Sequence, residues 1–215
     1  MKSSFVLFAS LLLVACQSTE STRFPPGLEP LEPDNVAAPA PTGTDPYPET
    51  LALDQGMDDV SNYVHATGYV HGSVAEVWAA MQDPAVVVDR RKVSAYTATL
   101  DVEPEYDTSF VTHYTINQVV TVQFDVTWRM GVVSGSTTAP TQVSAVYQKT
   151  VGSSFIMMMH GSVELEEIAP GVTRLSYAQR MNAVSTSSMD IATWTMDMFT
   201  SIVARVHGQP LPTYG

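Results

Sequence analysis

The sequence predicts an α+β domain: a strand, a short helical stretch, six further antiparallel strands and one long C-terminal helix. Three observations predict it. Over residues 119–130 apolar and polar residues alternate. Val120, Val122, Phe124, Val126, Trp128 and Met130 fall on one face, and Thr121, Gln123, Asp125, Thr127 and Arg129 on the other. That period of two belongs to an antiparallel sheet wet on one side. Over residues 187–207 the repeat changes to three or four, and Ile191, Trp194, Met198, Ile202 and Val206 form one helical stripe. Finally, two helix starts carry their own punctuation: Ser73 with Glu76, and Ser187 with Asp190, each at the spacing of a capping box.

Taken in order, "SNYVHATGYVHG" (61–72) alternates and holds β-branched and aromatic residues, so it reads as the first strand. Ser73 then caps a helix in which Val74, Val77, Trp78, Ala80 and Met81 make the apolar stripe; Pro84 ends it, and a second short turn of helix follows in "PAVVVDRR". Strands are expected near 93–102, 109–116, 119–130, 142–149, 154–166 and 172–183. They are separated by the turn signals "EPEYD", "NQ", "SGSTTAPT", "VGS" and "APG". The last helix, widened by Met189, Met196, Phe199 and Val203, stops at Gly208 and Pro210. A folded span of 60–208 suits one domain with a sizeable core, and 209–215 is a short tail.

The front of the chain is different. Lys2 is followed by an apolar run of about ten residues, too short to cross a bilayer core of about 30 Å and typical of a secretion leader over 1–15. Cys16 is the only cysteine, so no internal disulfide forms. The tetrapeptide Leu13-Val14-Ala15-Cys16 resembles the lipobox of bacterial lipoproteins. That resemblance implies diacylglycerol on the Cys16 thiol, cleavage before it, and attachment to the membrane through the acylated cysteine. Gln17, where an aspartate would favour the inner membrane, implies an outer-membrane anchor with the protein facing the periplasm. Residues 16–59 carry eight of the fourteen prolines, nine acidic residues and one arginine. Such a segment resists packing and reads as a disordered tether with a fully extended reach of about 130 Å. The formal net charge of −12 excludes a nucleic-acid partner, which needs a basic face.

The order of elements, "HGSVAEVWAAMQDPAVV", "VELEEIAPGVTRLSYAQRMNA" and the long final helix together resemble the SRPBCC superfamily, which includes START, Bet v 1-like and polyketide cyclase domains. The resemblance implies a helix-grip fold: a curved antiparallel sheet of about seven strands wrapped around the C-terminal helix, with an apolar cavity between them that holds a lipid or other hydrophobic small molecule. Ligand-binding candidates are Phe124, Val126 and Trp128; Met157 and Met159; Leu175, Tyr177, Gln179 and Met181; and Trp194, Met198 and Ile202. The same residues also describe a filled core, and a cavity is what separates the two readings. The alternatives are a structural lipoprotein that binds a protein partner, and an enzyme of the cyclase or hydrolase type. No catalytic residue, metal site or cofactor is assigned: no phosphate loop, G-x-S-x-G or metal-ligand spacing of the five histidines occurs. "FIMMMHGS" offers thioethers for copper, but in a strand Met157 and Met159 point one way and Met158 and His160 the other, which favours packing.

Overall fold

The computed structural model describes residues 27–30, 32–33 and 36–214. The leader and Cys16 lie outside the described residues. The elements are β1 (Leu51–Met57), β2 (Asn62–Val70), α1 (Val74–Met81), α2 (Pro84–Val87), β3 (Ala95–Leu100), β4 (Thr108–Asn117), β5 (Thr121–Ser136), β6 (Ala139–Gly152), β7 (Ile156–Ala169), β8 (Val172–Ala183) and α3 (Ser188–Val206). All strands join one antiparallel sheet in the order β1-β2-β8-β7-β6-β5-β4-β3. The sheet curves around α3, giving the α+β helix-grip architecture.

Both expected capping boxes are formed. Ser73 and Glu76 exchange side-chain and backbone hydrogen bonds at the start of α1, as do Ser187 and Asp190 at the start of α3. Each closes two donors that a helix N-terminus leaves open. From α3, Ile191, Trp194, Met198 and Ile202 are buried against the concave face of the sheet, while Met189 and Met196 turn to solvent. The helix packs on β1, β2, α1 and α2. Gly68 permits this close approach: a Cβ there would lie 2.9 Å from Leu51 Cδ1 and 3.1 Å from Phe199 Cε2.

The sheet has eight strands where about seven are expected, and the extra one is β1, inside the segment read as tether. Leu51 and Leu53 are partly buried and pair with Gly68 and Ala66, so the ladder, and not sequence alternation, holds this strand. The β5–β6 hairpin is also longer than the turn signal suggests. The ladder continues to the Ser136–Ala139 pair, so most of "SGSTTAPT" is strand.

The described residues of the proline-rich segment before β1 meet the outer face of the sheet at several points. Ser144 Oγ donates to the Leu28 carbonyl. Glu32 accepts from His65 Nε2 at 2.9 Å and from Arg180 Nε at 2.6 Å. Thr67 Oγ1 donates to the Val36 carbonyl at 3.0 Å. Further on, Glu49 accepts the His71 backbone N–H at 2.7 Å and stands 2.9 Å from His207 Nε2. This strap covers residues assigned by sequence to a free tether.

Candidate functional site

The concave face of the sheet is built from inward residues of six strands, β2 and β4 to β8, and its middle is filled with aromatic rings. Trp128 of β5 stacks on Phe110 of β4 at 5.9 Å and on Tyr147 of β6 at 4.2 Å. Tyr147 faces Tyr177 of β8 at 6.4 Å and meets the edge of Trp194 from α3 at 6.1 Å. Gly161 of β7 sits beneath Tyr147, where a Cβ would collide with the phenol. The Tyr147 hydroxyl donates to that of Tyr177 at 2.5 Å, and Tyr177 donates to Gln179 Oε1. Burial pushes both phenols well above their ordinary range. Buried hydroxyls need partners, and this chain supplies them in the centre of the core.

Towards the end of the grip where α3 begins, the packing opens into a cavity of about 80 Å³. Its walls are apolar. Tyr114, Ile116 and Phe124 come from β4 and β5, Ile156 and Met159 from β7, Met181 and Ala183 from β8, and Ile191 and Trp194 from α3. The mouth is polar. Lys92 pairs with Asp190 across it, and the Asp89 carboxylate accepts the backbone N–H groups of Arg91 at 3.0 Å and Lys92 at 3.2 Å. Burial is the main influence on Asp89 and pushes its carboxyl up. For Asp190 burial acts the same way, but hydrogen bonds from Lys92 and Ser187 outweigh it and bring the carboxyl from 3.8 to about 2.

Four of the twelve sequence candidates line this cavity: Phe124, Met159, Met181 and Trp194. Val126, Trp128, Leu175, Tyr177, Gln179, Met198 and Ile202 are buried in the core beside or behind it. Met157 is on neither: it is 58 % exposed. A bulge between Ile156 and Met158 breaks the alternation, so Ile156 takes the inward place and Met157 turns out. The ligand candidates read from the sequence leave out Tyr114, Ile116, Ile156 and the charged mouth, and also Ile191, which the sequence places on the apolar stripe of α3. For β4 the signal was present, because Phe110, Thr112, Tyr114 and Ile116 share one parity. The Tyr114 hydroxyl lies beside Thr112 and Trp128, yet Tyr114 Oη, Thr112 Oγ1 and Trp128 Nε1 are buried without a completed hydrogen bond, as is Gln179 Nε2. Among the described residues no three His, Cys, Asp or Glu side chains come together as a metal site.

An apolar cavity under a helix-gripping sheet defines the class of domain, and comparison with solved structures agrees on the fold. The chain is similar to the human StarD13 (DLC2) lipid transfer and protein localization domain, with 13 % identity and a TM-score of 0.51 over 77 % of this chain and 87 % of that one. It also matches human StAR-related lipid transfer protein 5, at 13 % identity and TM-score 0.49 over 74 % and 80 %. A third match is the Zhui aromatase/cyclase from Streptomyces sp. R1128, at 9 % identity and TM-score 0.46 over 68 % and 91 %. No protein-family model and no curated protein matches the chain. The likeness is one of architecture: the helix-grip fold expected from the resemblance is the fold this chain has.

Proposed function

We propose that this chain is a lipid-anchored cell-envelope protein whose helix-grip domain takes up a hydrophobic small molecule or lipid through the mouth at the start of α3. The observation that carries the reading is the apolar cavity walled by Tyr114, Ile116, Phe124, Ile156, Met159, Met181, Ile191 and Trp194. Ligand pockets of this kind are mostly apolar with a few convergent polar groups. The cavity, about 80 Å³, is smaller than the roughly 300–1,000 Å³ of pockets for drug-sized ligands. An acyl chain or a multi-ring molecule therefore enters only with enlargement. Met159 and Met181 are the adaptable part of the wall, since an unbranched thioether repacks at low cost, and the Lys92–Asp190 pair is the latch at the surface. The anchor is supported by Leu13-Val14-Ala15-Cys16 and by the leader before it; two acyl chains suffice for stable attachment.

The test is native mass spectrometry of the chain from Gln17 to Gly215, followed by organic extraction and then challenge with a lipid panel. A hydrophobic molecule near one per chain supports the reading. A clean mass with no uptake overturns it, and the densely filled layer around Tyr147 and Tyr177 would then favour a domain that binds a protein partner. The intact mass of the full chain recovered from bacterial membranes tests the anchor: diacylglyceryl on Cys16 is expected, and an unmodified thiol overturns it.

A further inference from the structure

We propose that residues 88–94 form a hinged flap over the cavity, and that residues 209–214, which follow α3, are the catch that keeps it closed. The inference rests on the binding reading above and names the part of the mouth that moves. The flap supplies Asp89, Lys92 and Val93 to the cavity wall. The rest of that wall is fixed. Its strand residues belong to the continuous ladder from β4 to β8. Thr186 is tied to β2, its carbonyl accepting from Asn62 Nδ2 at 2.9 Å. On α3, Trp194 Nε1 donates to the Val87 carbonyl at 3.2 Å, at the root of the flap.

Among the described residues, the backbone hydrogen bonds of residues 89–93 stay inside the flap. The Lys92 and Val93 N–H groups donate to the Asp89 carbonyl at 3.3 and 2.9 Å, and the Asp89 carboxylate takes those of Arg91 and Lys92. The segment is a self-contained turn. Val88 N–H still donates to the Pro84 carbonyl and Ser94 N–H to that of Thr115, so these two residues are the hinges. Side chains fasten everything between them. Lys92 pairs with Asp190, and Arg91 grips the Asp197 carboxylate with Nε and Nη2. Arg90 donates to Ser201 Oγ at 2.5 Å and to the Pro212 carbonyl at 2.6 Å. The Tyr214 ring centre lies 5.2 Å from the Arg90 guanidinium and 4.1 Å from that of Arg91. Its hydroxyl donates to the Asp197 carbonyl at 3.4 Å. Leu211 packs against the core and holds the tail in place. Polar contacts at a partly exposed surface open at far lower cost than a ladder or a packed helix. The flap is therefore the wall that lifts, and the tail sets how often.

The experiment follows stopped-flow uptake and release of N-phenyl-1-naphthylamine, an uncharged hydrophobic fluorophore. It compares the chain from Gln17 with its Tyr214→Ala variant and with the same chain ended at Gly208. Tyr214→Ala leaves Leu211 on the core, so it loosens the catch and spares the fold. Losing two cation–π contacts should raise the open fraction about tenfold, equivalent to about 1.4 kcal/mol. Uptake and release are then both expected to quicken about tenfold, while affinity changes by less than about twofold because no cavity wall is touched. Hydrogen exchange read by mass spectrometry should rise by a similar factor in peptides spanning 88–94 and stay level in β5 and β6. Unchanged rates and unchanged exchange overturn the flap and leave hydrophobic binding intact. A change confined to affinity also overturns it, since the tail would then act on the bound state and not on the passage. If the unmodified chain takes up no probe while exchange over 88–94 still rises, the segment covers no working cavity, and the binding reading falls together with this inference.

Discussion

Tyr177 holds a position in which a single oxygen serves two neighbours. It accepts from Tyr147 and donates to Gln179, all three side chains being within 1 % of full burial. Tyr177→Phe removes the middle member and leaves two buried groups unpaired, which should destabilise the domain by about 1–3 kcal/mol, read from urea unfolding. Asp190 gives a prediction in pH. Its folded-state value of about 2 lies below its ordinary 3.8, so its stabilisation is present above about pH 4 and disappears as pH falls towards 2. With about a third of each side chain of the Lys92–Asp190 pair exposed, solvent screening holds the effect to at most about 1 kcal/mol. Thermal midpoints measured from pH 6 to pH 2 should therefore fall less steeply for Asp190→Asn than for the unmodified chain. At this scale the sequence is readable wherever strict alternation survives. Phe124 and Trp128 face inward because β5 alternates without interruption up to them from Thr121. Met157 does not, because one bulge shifts the parity and nothing in "FIMMMHGS" signals it.

Elements are legible when their own residues specify them and obscure when a neighbour does. α1 and α3 each carry a cap, a stripe and a stop, and each forms where the pattern places it. β8 needs no adjustment, since Val172–Ala183 alternates between two clear turns. β1 has none of these marks. "LALDQGM" is short, nowhere fully buried and follows a proline-rich acidic stretch; β2 alone gives it a ladder to join. It nevertheless covers the edge of β2 and part of α3. A chain begun at Val60, the boundary the composition suggests, exposes that edge as an unpaired template for aggregation. It should melt at least about 5 °C below the chain from Gln17, an amount that corresponds to a kcal/mol or two in a protein this size, and should associate at high concentration in light scattering. Equal midpoints for the two chains would show that β1 adds nothing to the fold.

The whole molecule joins a grip that was visible in the sequence to a strap that was not. The overall pattern of one helix and many antiparallel strands fixes the architecture, because only a curved sheet around α3 buries both apolar faces at once. The strap is invisible in composition for the reason that its contacts are few and point-like: Ser144 to Leu28, His65 and Arg180 to Glu32, Thr67 to Val36. Proline-rich, acidic segments usually lack such partners, and the histidine and arginine that receive this one lie on other strands, far along the chain. The pinning has a consequence for how an anchored domain would hang. From Cys16 to Leu28 the chain can span at most about 40 Å, against the roughly 130 Å available to an unpinned segment up to residue 59. Leu28 sits beside Gly131 on β5, about ten residues, or some 33 Å, from the end of that strand where the cavity opens. A mouth-down pose on the home membrane would then stretch nearly the whole leash, whereas a mouth-outward pose needs little of it. If Cys16 carries the anchor proposed above, this geometry would favour exchange across the gap over exchange with the anchoring leaflet.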